Sequence, residues 1–175
     1  MREQSPLVHN ITTHVVMNNT ANALLSIGAS PVMAHEPAEM EDMVSIASAL
    51  VINMGTLSKR WVEAMIIAGK KATERGIPVV FDPVGVGATH YRREAAQQII
   101  SECKPTIIKG NASEIMALSN ANVESKGVDS SVSSNVALDS AKLLAQSTNA
   151  VVVVTGKIDY ITDGDRVITI SNGSD

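Results

Sequence analysis

Asp82, Lys109 and Glu114 are the residues whose types and placement suit charge chemistry. Asp82 ends the apolar run Val79–Phe81 and is followed at once by Pro83 and by a loop holding Gly85 and Gly87. Pro83 cannot donate a ladder hydrogen bond, so a strand reaching Asp82 stops there. In an open α/β sheet, ligands bind outside the carboxyl ends of the strands, where this carboxylate falls. The segment Lys109-Gly110-Asn111-Ala112-Ser113-Glu114 sits at a second strand end, directly before a helix. Helical side chains lean toward the N-terminus of their helix, so Glu114 can face the same strand ends as Asp82. Two carboxylates there suit Mg2+, which usually takes one or two protein carboxylates plus waters and phosphate oxygens. The cation also offsets a repulsion that otherwise raises one pKa. Lys109 offers phosphate a compact positive charge. Each has a plainer reading too: Asp-Pro opens a turn, and Asn111 with Glu114 spells a capping box.

Thr155-Gly156 follows the run Ala150–Val154. A hydroxyl at a strand end, beside a glycine that admits close approach, can touch a nucleotide; it can equally just end the strand. The chain has no Gly-x-x-x-x-Gly-Lys-Ser/Thr pattern, and Gly85-Val86-Gly87 lacks the third glycine of the dinucleotide fingerprint, which disfavours both of those folds. Met33 follows Pro31-Val32 at another strand end. It reads as a core methionine, or as a soft side chain lining an apolar pocket. His9, His14, His35 and His90 show no metal-ligand spacing and are expected in loops or at the surface. Nothing marks Cys103 as a nucleophile.

These residues need a frame. Short apolar runs read as buried strands at Leu7–Ile11, Ser30–Ala34, Ala49–Asn53, Val79–Phe81, Thr106–Ile108 and Ala150–Val154. Gly110-Asn111 is expected to break the fifth. Helical spacing predicts a helix over Val15–Ile27 with Val16, Thr20, Ala23 and Ile27 inward, and another over Glu39–Ile46. A long helix is capped by Ser58 and closed by Gly76, with Trp61, Met65, Ala68 and Ala72 on its stripe. Further helices fall on Arg92–Glu102, Ala112–Leu118 and Val136–Gln146, with Ser119–Ser134 a surface loop. Asp163-Gly164-Asp165 joins Asp159–Thr162 to Arg166–Ser171 as a hairpin. The alternation predicts one α/β domain over residues 1–175, a mostly parallel sheet with helices on both faces and an antiparallel edge.

The chain has 175 residues, 45% of them apolar and 2% aromatic, so its core must be aliphatic. A net charge of −4 without a basic cluster argues against a nucleic-acid partner. A lone cysteine excludes an internal disulfide and fits a reducing compartment. No apolar run approaches the ~18 residues of a membrane span, and the start shows no signal-peptide apolar region. The expected location is the cytoplasm.

Taken together, the motifs resemble the hydroxyethylthiazole kinase family of thiamine salvage, within the ribokinase-like fold. The match rests on Pro6-Leu7-Val8-His9-Asn10-Ile11-Thr12, Gly28-Ala29-Ser30-Pro31-Val32-Met33 and Asn53-Met54-Gly55-Thr56-Leu57. Asp82-Pro83-Val84-Gly85-Val86-Gly87-Ala88-Thr89, Lys109-Gly110-Asn111-Ala112-Ser113-Glu114 and Val154-Thr155-Gly156 complete it. The resemblance implies transfer of the ATP γ-phosphate to the primary alcohol of 4-methyl-5-(2-hydroxyethyl)thiazole. It implies that Met33 contacts the thiazole, that Asp82 and Glu114 lie near Mg2+, and that Lys109 and Thr155 contact ATP. Lys109 stands where the family sometimes has arginine and lacks the guanidinium fork. The resemblance also implies a homotrimer with active sites between subunits.

One departure stands out. The family continues into a Gly-Thr-Gly-Cys-like segment that stabilises charge on the transferred phosphoryl, expected beyond Asp175. Cys103 does not match it. The expectation is therefore a three-layer fold incomplete at its C-terminus, and a chain slow or inactive alone. Two alternatives stay open: another ribokinase-like kinase of a small alcohol, and a non-catalytic nucleotide-binding or assembly module.

Overall fold

A computed structural model describes residues 2–119 and 134–172. In chain order the elements are β1 (Leu7–Ile11), α1 (Met17–Ser26), β2 (Ser30–Val32), α2 (Met40–Ile46), β3 (Ala49–Asn53), α3 (Lys59–Arg75) and β4 (Val79–Asp82). Then come α4 (His90–Cys103), β5 (Ile107–Asn111), α5 (Ala112–Ser119), α6 (Leu138–Thr148), β6 (Val151–Thr155), β7 (Asp159–Thr162) and β8 (Val167–Ile170). Most of the expected Ser119–Ser134 loop lies outside the described residues.

The strands form one eight-stranded sheet in the order β2-β1-β3-β4-β5-β6-β7-β8. It is parallel as far as β6, and β7 and β8 add the antiparallel edge. The chain moves one way from β1 to β2, then the other way from β2 onward. Right-handed crossovers therefore put α1 on one face and the later helices on the other. Contacts agree: α2 packs on α3, α3 on α4, α4 on α5 and α5 on α6, whereas α1 lies against β2. Burial alternates to match. Leu50, Ile52, Val79, Phe81, Ile108, Val152 and Val154 are fully or almost fully buried under the helical layer. Val51, Val80, Ile107 and Val153, pointing the other way, are half-buried among the described residues.

Local signals explain most elements. Ser58 caps α3 by accepting the Trp61 amide at 3.2 Å, and Gly76 closes it in the left-handed region at φ 67°. Trp61, Met65, Ala68 and Ala72 are buried on its stripe. Three expectations need correction. In α1 the half-buried face is Met17, Thr20, Ala21 and Leu24, while Ala23 and Ile27 are exposed. Asn18, Asn19 and Asn22 surround that face, and the two asparagines on successive turns bond to each other in solvent. The fifth strand does not break at Gly110-Asn111, because β6 supplies ladder partners: Gly110 pairs with Val154 and Asn111 with Thr155. The second strand stops at Val32, leaving Met33 and Ala34 in the following loop.

Candidate functional site

The site is built where the parallel strands end. Register places Asn53 beside Asp82, and Phe81 beside Ile108, so Lys109 follows at Asp82's other flank. Asn53 Nδ2 donates to Asp82 Oδ2 at 3.0 Å, and Lys109 Nζ lies 3.5 Å from the same oxygen. Both Asp82 and Lys109 alternate away from the buried Phe81 and Ile108, and so stand on the half-open sheet face. Burial raises the Asp82 carboxyl above its ordinary value, opposed by the charge and hydrogen bond of Lys109 and by Asn53. Such a carboxylate is held at a cost that a cation would relieve.

Glu114 occupies the first turn of α5 and is 7% exposed. Its Oε2 accepts the Asn111 amide at 2.9 Å, while Asn111 Oδ1 accepts the Glu114 amide at 2.9 Å. The capping box is therefore complete. Its Oε1 does something the box does not require: it accepts the Gly85 amide at 3.0 Å and so braces the loop that follows Asp82. Gly110 makes room for it, since a Cβ there would stand 3.1 Å from Glu114 Oε2. Gly110 is buried on the helix-covered side, so Asp82 and Glu114 share a rim but approach it from opposite faces.

Thr155 ends β6, next to Asn111, and donates Oγ1 to the Gly110 carbonyl at 3.3 Å. Met33 is half-buried just past β2, the edge strand. Three strand spacings separate β2 from β4, or about 14 Å. The fold thus gathers Asp82, Lys109, Glu114 and Thr155 on one stretch of rim and sets Met33 apart. A carboxylate has about four acceptor sites, so two backbone bonds leave Glu114 capacity for an ion or its water. Among the described residues, no group of three or more His, Cys, Asp or Glu is arranged to hold a metal. A two-carboxylate set completed by phosphate oxygens is what hard Mg2+ accepts.

The histidine expectation needs correction at His9. His9 is fully buried in β1, its Nε2 bonds the Ala34 carbonyl at 2.8 Å, and its Nδ1 has no partner among the described residues. A carbonyl only accepts, so Nε2 carries the proton, and burial lowers the His9 pKa. His35 Nδ1 lies 3.2 Å from the Met33 carbonyl, and its ring meets Trp61 at a tilt of 36° with centroids 4.8 Å apart. His14 is exposed as expected, although its ring also meets Trp61 at 5.0 Å, and His90 is exposed. Cys103 is buried and its thiol is pushed up to about 12 by burial, which fits a structural thiol.

Sequence reasoning missed Asn53 and Arg92. Asn53 stands in the sequence as the end of a run and in a family-like motif; its ladder partner shows that it donates to the Asp82 carboxylate. Arg92 donates to the carbonyls of Met54, Val84 and Gly55 at 2.7, 2.8 and 2.9 Å. A signal existed: a cation in the first turn of a helix opposes the macrodipole, so it needs another reason to be there.

Sheet order, crossover pattern and charged rim define an α/β protein of ribokinase-like architecture. A putative ribokinase II from E. coli shares the fold with a TM-score of 0.60 at 12% identity, over 95% of this chain and 62% of that one. The sequence profile of the hydroxyethylthiazole kinase family matches residues 1–175, and the chain belongs to that family. A hydroxyethylthiazole kinase of Nitratidesulfovibrio vulgaris (strain DP4) is 51% identical over 174 residues, covering 99% of this chain and 65% of the relative. The solved hydroxyethylthiazole kinase protein of Pyrococcus horikoshii OT3 is 44% identical with a TM-score of 0.88, over 99% of this chain and 64% of that one. The chain thus spans about 65% of the length of the curated relatives it matches.

Proposed function

We propose that this chain supplies the metal- and nucleotide-binding rim of an enzyme that phosphorylates the primary alcohol of 4-methyl-5-(2-hydroxyethyl)thiazole with ATP. The observation that carries this is the Asp82–Lys109 pair, 3.5 Å apart at adjacent strand ends, beside the loop that Glu114 braces. Phosphoryl transfer asks a protein mainly for positioning and charge stabilisation. Asp82 would hold Mg2+ on the half-open face, and Glu114 would add its remaining acceptor capacity from below. Mg2+, when bound, would neutralise charge on the phosphates. Lys109 would meet ATP as a point charge, and Thr155 would offer a hydroxyl at the neighbouring strand end. Met33 would touch the thiazole. In a homotrimer, a neighbouring copy would complete the pocket beside Met33, which lies beyond the edge strand β2.

Calorimetry with MgATP tests the rim directly. Asp82→Ala and Lys109→Ala should each weaken binding about tenfold, the worth of one charge-assisted contact. Binding unchanged in both variants would overturn the assignment. Met33→Ala should raise the KM for the thiazole alcohol in the full-length kinase and leave nucleotide affinity alone.

A further inference from the structure

Pro83–Val86 is a β-turn: the Val86 amide donates to the Pro83 carbonyl at 3.0 Å. Gly85, its third residue, has φ 66°, and Val84 is not among the residues of positive φ. That combination defines a type II turn. Types I and II differ by a flip of the central peptide, here the one between Val84 and Gly85. Both ends of that peptide are held. Its carbonyl accepts from Arg92 Nη1 at 2.8 Å, and its N–H donates to Glu114 Oε1 at 3.0 Å. The same Nη1 reaches the Met54 carbonyl at 2.7 Å, and Nη2 the Gly55 carbonyl at 2.9 Å. Gly55 in turn donates its amide to Asn53 Oδ1 at 2.9 Å, and Asn53 holds Asp82. One guanidinium thus joins the turn after Asp82 to the turn after its ladder neighbour.

We infer that Arg92 is a positioning residue: with Glu114 it locks the Val84–Gly85 peptide in one orientation and so fixes the turn that follows Asp82 for nucleotide binding. The nucleotide part rests on the proposed function; the lock does not. Planarity matters, because a fork can serve three carbonyls in two loops while a lysine ammonium offers a single point.

Amide hydrogen exchange at Gly85 tests the lock, and MgATP calorimetry tests its use. In the wild-type chain the Gly85 amide should be protected. Arg92→Lys should speed its exchange at least tenfold and weaken MgATP binding about tenfold, the worth of a charge-assisted hydrogen bond. Gly85→Ala disfavours the positive φ by a separate route and should give the same two changes. The double variant should be no worse than either single one, since both undo one lock. Unchanged Gly85 exchange in Arg92→Lys overturns the lock, and additive losses overturn its unity. Faster exchange with unaltered MgATP affinity overturns the positioning role. If the wild-type chain binds no MgATP, the functional reading and that role fall together, and exchange alone decides the lock.

Discussion

Lys109 Nζ and Asp82 Oδ2 lie 3.5 Å apart at the ends of adjacent parallel strands, on the sheet face that the main helical layer does not cover. Burial drives the Asp82 carboxyl upward and Lys109 opposes that rise without cancelling it. The ionised carboxylate is therefore held at a cost to stability. A charge whose folded pKa is raised opposes folding once it ionises, and the rim keeps it nonetheless.

The sign of the effect can be checked. A carboxyl raised in the fold above its ordinary 3.8 gives stability that is complete below that value and lost as pH rises through the folded pKa. Asp82→Asn should therefore be more stable than wild type at pH 7, by about 2 °C in Tm for each kcal/mol recovered in a chain of this size. The gain should vanish below 3.8. Lys109 is 47% exposed, so losing its partner costs little. Thermal unfolding of both proteins from pH 3 to 8 measures the difference; a destabilised Asp82→Asn at pH 7 contradicts it.

Glu114 behaves in the opposite way. Each of its oxygens accepts a backbone amide, from Gly85 and from Asn111. Glu114→Gln keeps one acceptor oxygen and turns its amide NH2, a donor, toward the other N–H, leaving a buried donor unsatisfied. The cost should be about 1–3 kcal/mol in urea unfolding. Asp82 and Glu114, two carboxylates of one rim, should thus shift stability in opposite directions at pH 7.

Much of this rim was legible in the chain because strand ends announce themselves. Asp82 before Pro83, and Asn111 three residues ahead of Glu114, are local patterns, and local patterns set strand stops and helix caps. What stayed hidden depends on register. Asn53 gains its role only by lying across from Asp82, and Gly110-Asn111 stays in the sheet only because Val154 and Thr155 lie alongside. The distance from Met33 to the rim follows from strand order, which periodicity does not encode. The α1 stripe was misplaced because its side chains are small, so several faces looked equally apolar. The lack of metal-ligand spacing predicts a loop or surface position for His9, whereas its place in β1 buries it.

That burial carries a pH signature. His9 is buried in β1, its Nε2–H is committed to Ala34, and Glu39 is the charge that favours its protonation. Desolvation outweighs Glu39, so the folded pKa falls below the ordinary 6.5. The unfolded chain then binds the proton more readily, and stability present above 6.5 is lost as pH falls below it. Urea midpoints should drop between pH 7 and pH 5 in wild type and change less in His9→Asn. Equal pH slopes would remove His9 as the cause.

Gly69 and Cys103 set the spacing between α3 and α4. A Cβ at Gly69 would stand 2.2 Å from Cys103 Sγ, well inside any real contact, so the helices approach this closely only because one residue has no side chain. The thiol is buried and pushed up to about 12, so at pH 8 almost none is thiolate. The native protein should resist thiol reagents at pH 8, and reaction should follow the rate of unfolding in denaturant. Gly69→Ala should cost about 1–3 kcal/mol through overpacking. Cys103→Ala removes the sulfur but keeps a Cβ that stands 2.4 Å from the new methyl, so adding it should recover only part of that loss. A Gly69→Ala variant as stable as wild type would place the helix contact elsewhere, and rapid labelling of the folded chain would contradict the buried thiol.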